Sequence, residues 1–306
     1  MSDITTVGSL DAAPAKVETP FQRFRAEFFE SRIATTALCV FGIIVVLAIL
    51  APWITPQNPY DLAQVDVLDG RLAPGSEAFA GYTMWLGSDG AGRDLYSAIL
   101  YGLRISLSVG LASGVIALLI GMAVGLIAAY AGGRTEAIIM RIVDLQLSFP
   151  ASLVALMLVA ALGKGVDKII LALVVAQWAY YARTVRGTAL VERNKEYVEA
   201  AQCLGLSRRR IVFRHILPNC LAPLIVVGTV QTAHAISLEA TLSFLGVGLP
   251  QTEPSLGVLI ANGFEYMLSG RYWISVFPGL ALLFTVVSIN LVGDHLRDVL
   301  NPRMKK

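Results

Sequence analysis

Long apolar runs, each near the length that crosses a bilayer, alternate along the chain with shorter polar stretches. A spanning helix needs about 20 mostly apolar residues. Residues 33–54 make 22 positions without a charge, and residues 105–131 make 27. Residues 142–162 carry Asp144 alone. Residues 169–182 make a run of 14, which Lys168 and Arg183 lengthen by reaching toward the interface. Residues 219–238 hold His234 but no Asp, Glu, Lys or Arg, with Glu239 next, and 272–293 is again uncharged. The pattern predicts an all-α, polytopic membrane protein with six transmembrane helices. The first run begins too late and is too long for the apolar part of a signal peptide, and Ala51-Pro52-Trp53 is a poor cleavage context. Before it, Thr19-Pro20-Phe21-Gln22 reads as a capping-box helix start. Phe21, Phe24 and Phe28 then recur at helical spacing, which predicts a short interfacial helix. Residues 1–18 read as disordered. The chain thus divides into a tail, 1–32; a first transmembrane helix, 33–54; a loop, 55–104; a five-helix core, 105–296, with a polar loop at 192–218; and a tail, 297–306.

Composition agrees with this pattern. Hydrophobic residues make up 56% and charged residues 15%, and the mean hydropathy is +0.66. Soluble domains carry about 25% charged residues, so a soluble enzyme is excluded. A net charge of +2 gives no footprint for a nucleic-acid partner. Cys39, Cys203 and Cys220 have no metal-ligand spacing. Charge placement adds an orientation. Of 24 Lys and Arg residues, 18 fall in the two tails, around Arg134 and Arg141, and in 183–218; six fall in the alternate segments. By the positive-inside rule both termini are cytoplasmic, while 55–104 and 245–271 face outward. No Walker A sequence occurs. LGSDGAGRD, 86–94, imitates a phosphate loop, but it lies outside, with no βα unit to carry it. HExxH, GxSxG and CxxC are likewise missing, so no catalytic, cofactor or metal site is expected.

The longest charged stretch between spans, 193–219, reads RNKEYVEAAQCLGLSRRRIVFRHILPN. Asn194 can cap a helix on which Tyr197, Ala201 and Leu204 share a face. Ala200 and Ala201 leave that surface shallow, Gly205 suits a left-handed helix end, and Ser207 can cap the next helix. Pro218 marks the join to the fifth span. Two short helices with a small-residue face make a docking element. The stretch resembles the EAA signature of permease subunits of binding-protein-dependent ABC importers, through Glu199-Ala200-Ala201, Gly205 and Leu217-Pro218. His215 stands where that family usually has Ile. The resemblance implies that this loop docks in a cleft of a cytoplasmic ATPase.

Two outer stretches narrow the resemblance. Trp85-Leu86-Gly87-Ser88-Asp89, Gly92-Arg93-Asp94, Gly102 and Arg104-Ile105-Ser106-Leu107 are similar to an outer-loop signature of the dipeptide/oligopeptide/nickel permease group. Residues 239–246 with Pro254-Ser255 and Gly257 resemble its second outer loop, with Leu256 in place of the usual Trp. The resemblance is to the C-type subunit and covers 33–303. It implies the type I permease fold in a bacterial inner membrane, a homologous second permease, two ATP-binding subunits that hold the ATP, and a periplasmic solute-binding protein. It implies no cofactor in this chain. The implied cargo is di- or oligopeptides, with nickel or a glutathione-like substrate as alternatives. A secondary transporter would show inverted repeats and midplane charges.

Polar residues at membrane depth are functional candidates. Asp144 lies one turn from Arg141, as an i, i+3 pair would. Gln231, His234, Ser237 and Thr241 fall within about 120° on a helical wheel, as a stripe facing the translocation path or as interhelical hydrogen bonds. Glu239 points away and is expected to tie the outer end of its helix to a neighbour. Ser106, Gly110 and Gly114, then Gly121, Gly125 and Ala129, form two runs at four-residue spacing, a close-packing face toward this subunit or a second permease.

Overall fold

The computed structural model describes residues 19–253 and 255–300. The expectations for 1–18, for the ring of Phe21, for Pro254 and for 301–306 lie outside them. Eleven α-helices and one small hairpin occur among the described residues, besides short 3-10 turns at Val67–Asp69 and Met267–Ser269 and a π-helical turn at Val212–Ile216. The helices and strands are α1 (Pro20–Glu30), α2 (Arg32–Ile54), β1 (Ser76–Glu77), β2 (Thr83–Met84), α3 (Leu95–Ala131), α4 (Gly133–Ser148), α5 (Ala151–Leu162), α6 (Val166–Arg193), α7 (Glu196–Cys203), α8 (Arg208–Ile211), α9 (Leu217–Phe244), α10 (Leu256–Phe264) and α11 (Trp273–Leu300).

Among the described residues, four helical runs are long and apolar enough to cross a membrane: α2, α3, the continuous run Arg208–Phe244, and α11. The expected third span, 142–162, is not one straight helix. It is split between α4 and α5, which meet at 87° and add a fifth span if counted together. Pro150 is the cause. It disfavours helical backbone at the residue before it, and Phe149 is extended at φ −95°, ψ 140°. The expected fourth span falls on α6, which is longer than 169–182 and is not among the four. Asp167, Lys168, Arg183 and Arg186 dilute its hydropathy. Protein rather than lipid encloses its middle: Ile169, Leu173, Ala176, Gln177, Tyr181 and Val185 are buried. A helix so enclosed tolerates polarity that a lipid-facing one would not.

The bundle is built around α3, whose 37 residues span about 55 Å. It starts ten residues before the apolar run, so 95–104 is helix rather than loop. Lipid tails are as apolar as leucine, so close packing must supply much of the helix association. The small-residue stripe of α3 provides it. A side chain at Gly121 would strike Trp178 O of α6, and one at Gly125 would strike Ala182 O. Gly110 and Gly114 make room instead for the side chains of Ile236 and Thr232 of α9. The stripe therefore packs within this chain and is not left for a partner.

The capping box of α1 forms as expected, with Gln22 N donating to Thr19 Oγ1 at 3.3 Å and Thr19 N donating to Gln22 Oε1 at 3.0 Å. Phe28 is buried and packs edge-on against His295, 5.1 Å between ring centres, which seats α1 on the end of α11.

Candidate functional site

α7 is clamped to α6 and α9, and the end of α6 is in turn tied to α3. Arg193 donates to Ala129 O of α3 at 2.9 Å. Lys195 reaches Glu192 at 2.7 Å, and Tyr197 Oη donates to the same carboxylate at 2.6 Å. Asn219 of α9 donates to Tyr197 Oη at 3.2 Å and to His215 O at 2.7 Å. Burial and then the bond to Glu192 push the Tyr197 phenol up to about 12, so it stays a neutral donor. Sequence reading missed this Glu192–Tyr197–Asn219 bridge, because its members lie 27 positions apart along the chain. Asn194 does not cap α7: it closes α6, and Lys195 precedes α7 without a side-chain cap. An i, i+3 ion pair to Glu192 uses the position instead.

The expected docking face divides in two. Val198 and Ala201 point inward, with Ala201 only 4% exposed, and join a core cluster with Tyr181, Val185, Ile211, Ile216 and Leu224. Glu199, Ala200 and Gly205 are exposed, as is Leu204 at 80%. Ala201 therefore supports the helix from beneath, and Tyr197, Ala201 and Leu204 do not form one face. Gly205 has φ +71°, and Leu206 N bonds Ala201 O while Gly205 N bonds Gln202 O, a Schellman end. Ser207 takes the cap position of α8 without a side-chain bond. Leu217 and Pro218 do not interrupt the chain's path. A π-helical turn, Val212–Ile216, carries α8 into α9, and Leu217 N bonds Val212 O. This wider turn accommodates a residue without an N–H.

At the opposite end, the 86–94 motif is an architectural knot. The Asp89 carboxylate accepts from Ala91 N at 2.8 Å and Arg93 N at 3.0 Å. These are the amides a bound phosphate would need, so the loop is filled by its own side chain. Burial pushes the carboxyl groups of Asp89 and Asp94 up. Asp94 caps α3 through Ser97, and its own N–H goes to Gln57 Oε1 at 2.7 Å. Arg93 reaches Gln251 O at 3.2 Å, linking the loop before α3 to the loop after α9. Gly87 and Gly92 have φ +79° and +85°. A side chain at Gly92 would also strike Asp66 O. Gln57 went unnoticed in the sequence, since nothing local marks it.

The polar stripe of α9 does not line one cavity. Gln231 is 8% exposed, and its Nε2 makes no hydrogen bond. It borders a cavity of about 850 Å³ with Tyr180, Arg183, Thr184, Asp294 and Arg297, between α6, α9 and α11. His234 is exposed. Ser237 and Thr241 bond back to Ala233 O and Ser237 O and border a separate groove of about 310 Å³. Glu239 is fully buried and accepts from Ser106 at 2.9 Å and Ser243 at 2.7 Å, tying α9 to α3 as expected. Asp144 pairs with Arg183 of α6, not with Arg141; the tertiary partner outcompetes the local one. Among the described residues no cluster could hold a metal ion.

Comparison with known proteins matches this architecture. Residues 117–306 match the family described as binding-protein-dependent transport system inner membrane component. Residues 19–74 match the N-terminal TM domain of oligopeptide transport permease C. A dipeptide transport system permease protein of Escherichia coli K12 is 39% identical over the whole of both chains. A putative peptide transport system permease of Brucella suis is 43% identical, over 88% of this chain and 87% of that one. A di/tripeptide transport system permease of Pseudomonas aeruginosa is 36% identical, over 94% and 93%. Among solved structures, the MetNI methionine ABC transporter shares the fold with a TM-score of 0.55 at 22% identity, covering 66% of this chain and 96% of that one. The chain therefore belongs to the family of binding-protein-dependent transport system inner membrane components, as a multi-pass permease subunit of an ABC importer.

Proposed function

We propose that this permease carries di- or oligopeptides inward across a bacterial inner membrane, with both termini in the cytoplasm. It pairs with a homologous second permease, receives cargo from a periplasmic binding protein, and is driven by two ATP-binding subunits. The chain itself hydrolyses no ATP. The observation that carries the reading is α7: an exposed Glu199–Ala200 surface and a Gly205 turn, braced from below by Ala201 and clamped to α6 and α9, with α6 tied to α3 through Arg193. A push on that surface reaches α6 and α9 directly and α3 through Arg193, and turns them as rigid bodies between outward- and inward-open arrangements. The peptide cargo is supported by the names of the relatives above. On this reading the 850 Å³ cavity, bordered by Gln231, is this chain's share of the path. Ser237 and Thr241 border the path further out, with His234 exposed beside them.

The test uses the purified chain and the assembled complex. The chain alone should hydrolyse ATP at background rate. The complex in vesicles should hydrolyse it faster when its binding protein carries a peptide. ATPase activity in the chain alone, persisting through further purification, would remove the assignment.

A further inference from the structure

One face of α2 is buried through Ala34, Ala37, Ala48 and Ala51. On the other side Ile43, Val46, Ile49, Leu50 and Trp53 form an exposed stripe within about 140° of the helix. The 23 residues of α2 span about 35 Å, against about 30 Å for the hydrocarbon core. Trp53, in the last turn and 75% exposed, therefore sits where acyl chains give way to headgroups.

Trp85 belongs to no span, yet it borders the same groove as Trp53. The two indoles border one groove of about 710 Å³ with Ile54, Tyr82, Thr83 and Tyr96. The backbone holds Trp85 there. On β2 Met84 is fully buried, so its neighbours Thr83 and Trp85 turn outward, Trp85 72% exposed. Met84 O accepts from Gly75 N at 2.9 Å and Gly87 N at 3.0 Å, which fixes the segment on both sides.

We propose that this groove is a membrane-surface contact, in which Trp53 and Trp85 seat the β1–β2 hairpin against phospholipid at the glycerol level. Tryptophan is enriched at that depth because its ring is apolar and its N–H is a donor. The groove continues the exposed apolar stripe of a spanning helix, and none of its lining residues is charged. Lipid therefore fits it better than a protein partner, which would be recognised by specific polar pairs. The contact would hold the long outer segment at constant depth while the core helices turn.

The test is fluorescence of the assembled transporter in phosphatidylethanolamine–phosphatidylglycerol vesicles. The difference between wild type and Trp85→Phe isolates the Trp85 emission. Lipids brominated near the carbonyl end of their chains should quench it about twofold, and chain-end bromines should quench it less. Emission insensitive to both lipids, or quenched by aqueous iodide instead, overturns the proposal; so does shielding that arises only when the binding protein is added. If Trp85→Phe does not assemble, a spin label at Thr83→Cys decides the matter. Collisions with oxygen exceeding those with a water-soluble nickel complex support lipid contact, and the reverse overturns it.

Discussion

Three neighbouring small residues in the segment proposed to couple to the ATP-binding subunits have separate physical roles, and single substitutions separate them. Ala201 is packed into the core, so Ala201→Leu overfills a tight site at a cost of about 1–3 kcal/mol. It should lower the yield of folded protein. Ala200 is exposed, so Ala200→Trp should fold normally and yet lose co-purification of the ATP-binding subunits. Gly205 is a third case. An added Cβ there would meet nothing within 4 Å, so the cost is the left-handed backbone alone, about 1 kcal/mol for alanine. Transport should fall in the order Gly205→Asn, Gly205→Ala, Gly205→Val, because Asn tolerates this conformation and β-branched residues resist it. Glu199→Gln should do less harm than Gly205→Val, since an exposed ion pair contributes about 0–1 kcal/mol. Uptake at matched expression checks the series; normal uptake by Gly205→Val would remove the turn from the mechanism.

Among elements, the decisive contact is α3 against α6, where glycine lets backbones touch. Gly121→Ala places a methyl group against Trp178 O and Ala182 N and should destabilise the fold by about 1–3 kcal/mol. Gly42→Ala on α2 meets nothing within 4 Å and removes a helix-propensity penalty of about 1 kcal/mol. It should be neutral or stabilising. Thermal unfolding in detergent compares the two, and equal melting would show that the glycine stripe is not the packing seam. The stripe itself was legible from four-residue spacing, but its partner was not, because spacing defines a face and not what lies opposite. The same limit explains Asp144. An i, i+3 partner is visible in the sequence, whereas Arg183, 39 positions on, is brought near only by folding α4 against α6. The bend at Pro150 was visible as a residue and hidden by hydropathy, which averages across it. Capping by Thr19 and the Gly205 turn were legible because both are local backbone chemistry. The inward turn of Ala201 was not, since burial depends on helices far away in sequence.

At the scale of the whole molecule, the fold sorts charge between the two ends of the helix bundle. The cavity that holds the end of α11, at Asp294 and Arg297, also holds the start of α9 at Ala222 and Pro223, next to the coupling segment. α1 lies on that same end of α11 through Phe28 and His295. Thus the described parts of the basic segments lie at one end, whereas the 86–94 knot and Gln251 meet at the other. Lys and Arg are held back on the cytoplasmic side during insertion, so the basic end should face the cytoplasm. The prediction uses a chain with Cys39, Cys203 and Cys220 replaced and a single cysteine restored at an exposed position of either end. Cysteine at Ala63 should react with an impermeant thiol reagent applied to intact spheroplasts. Cysteine at Arg209 should react only after the membrane is opened. The reverse pattern would place α7 outside, beyond the reach of any ATP-binding subunit, and the coupling mechanism would fall with the orientation.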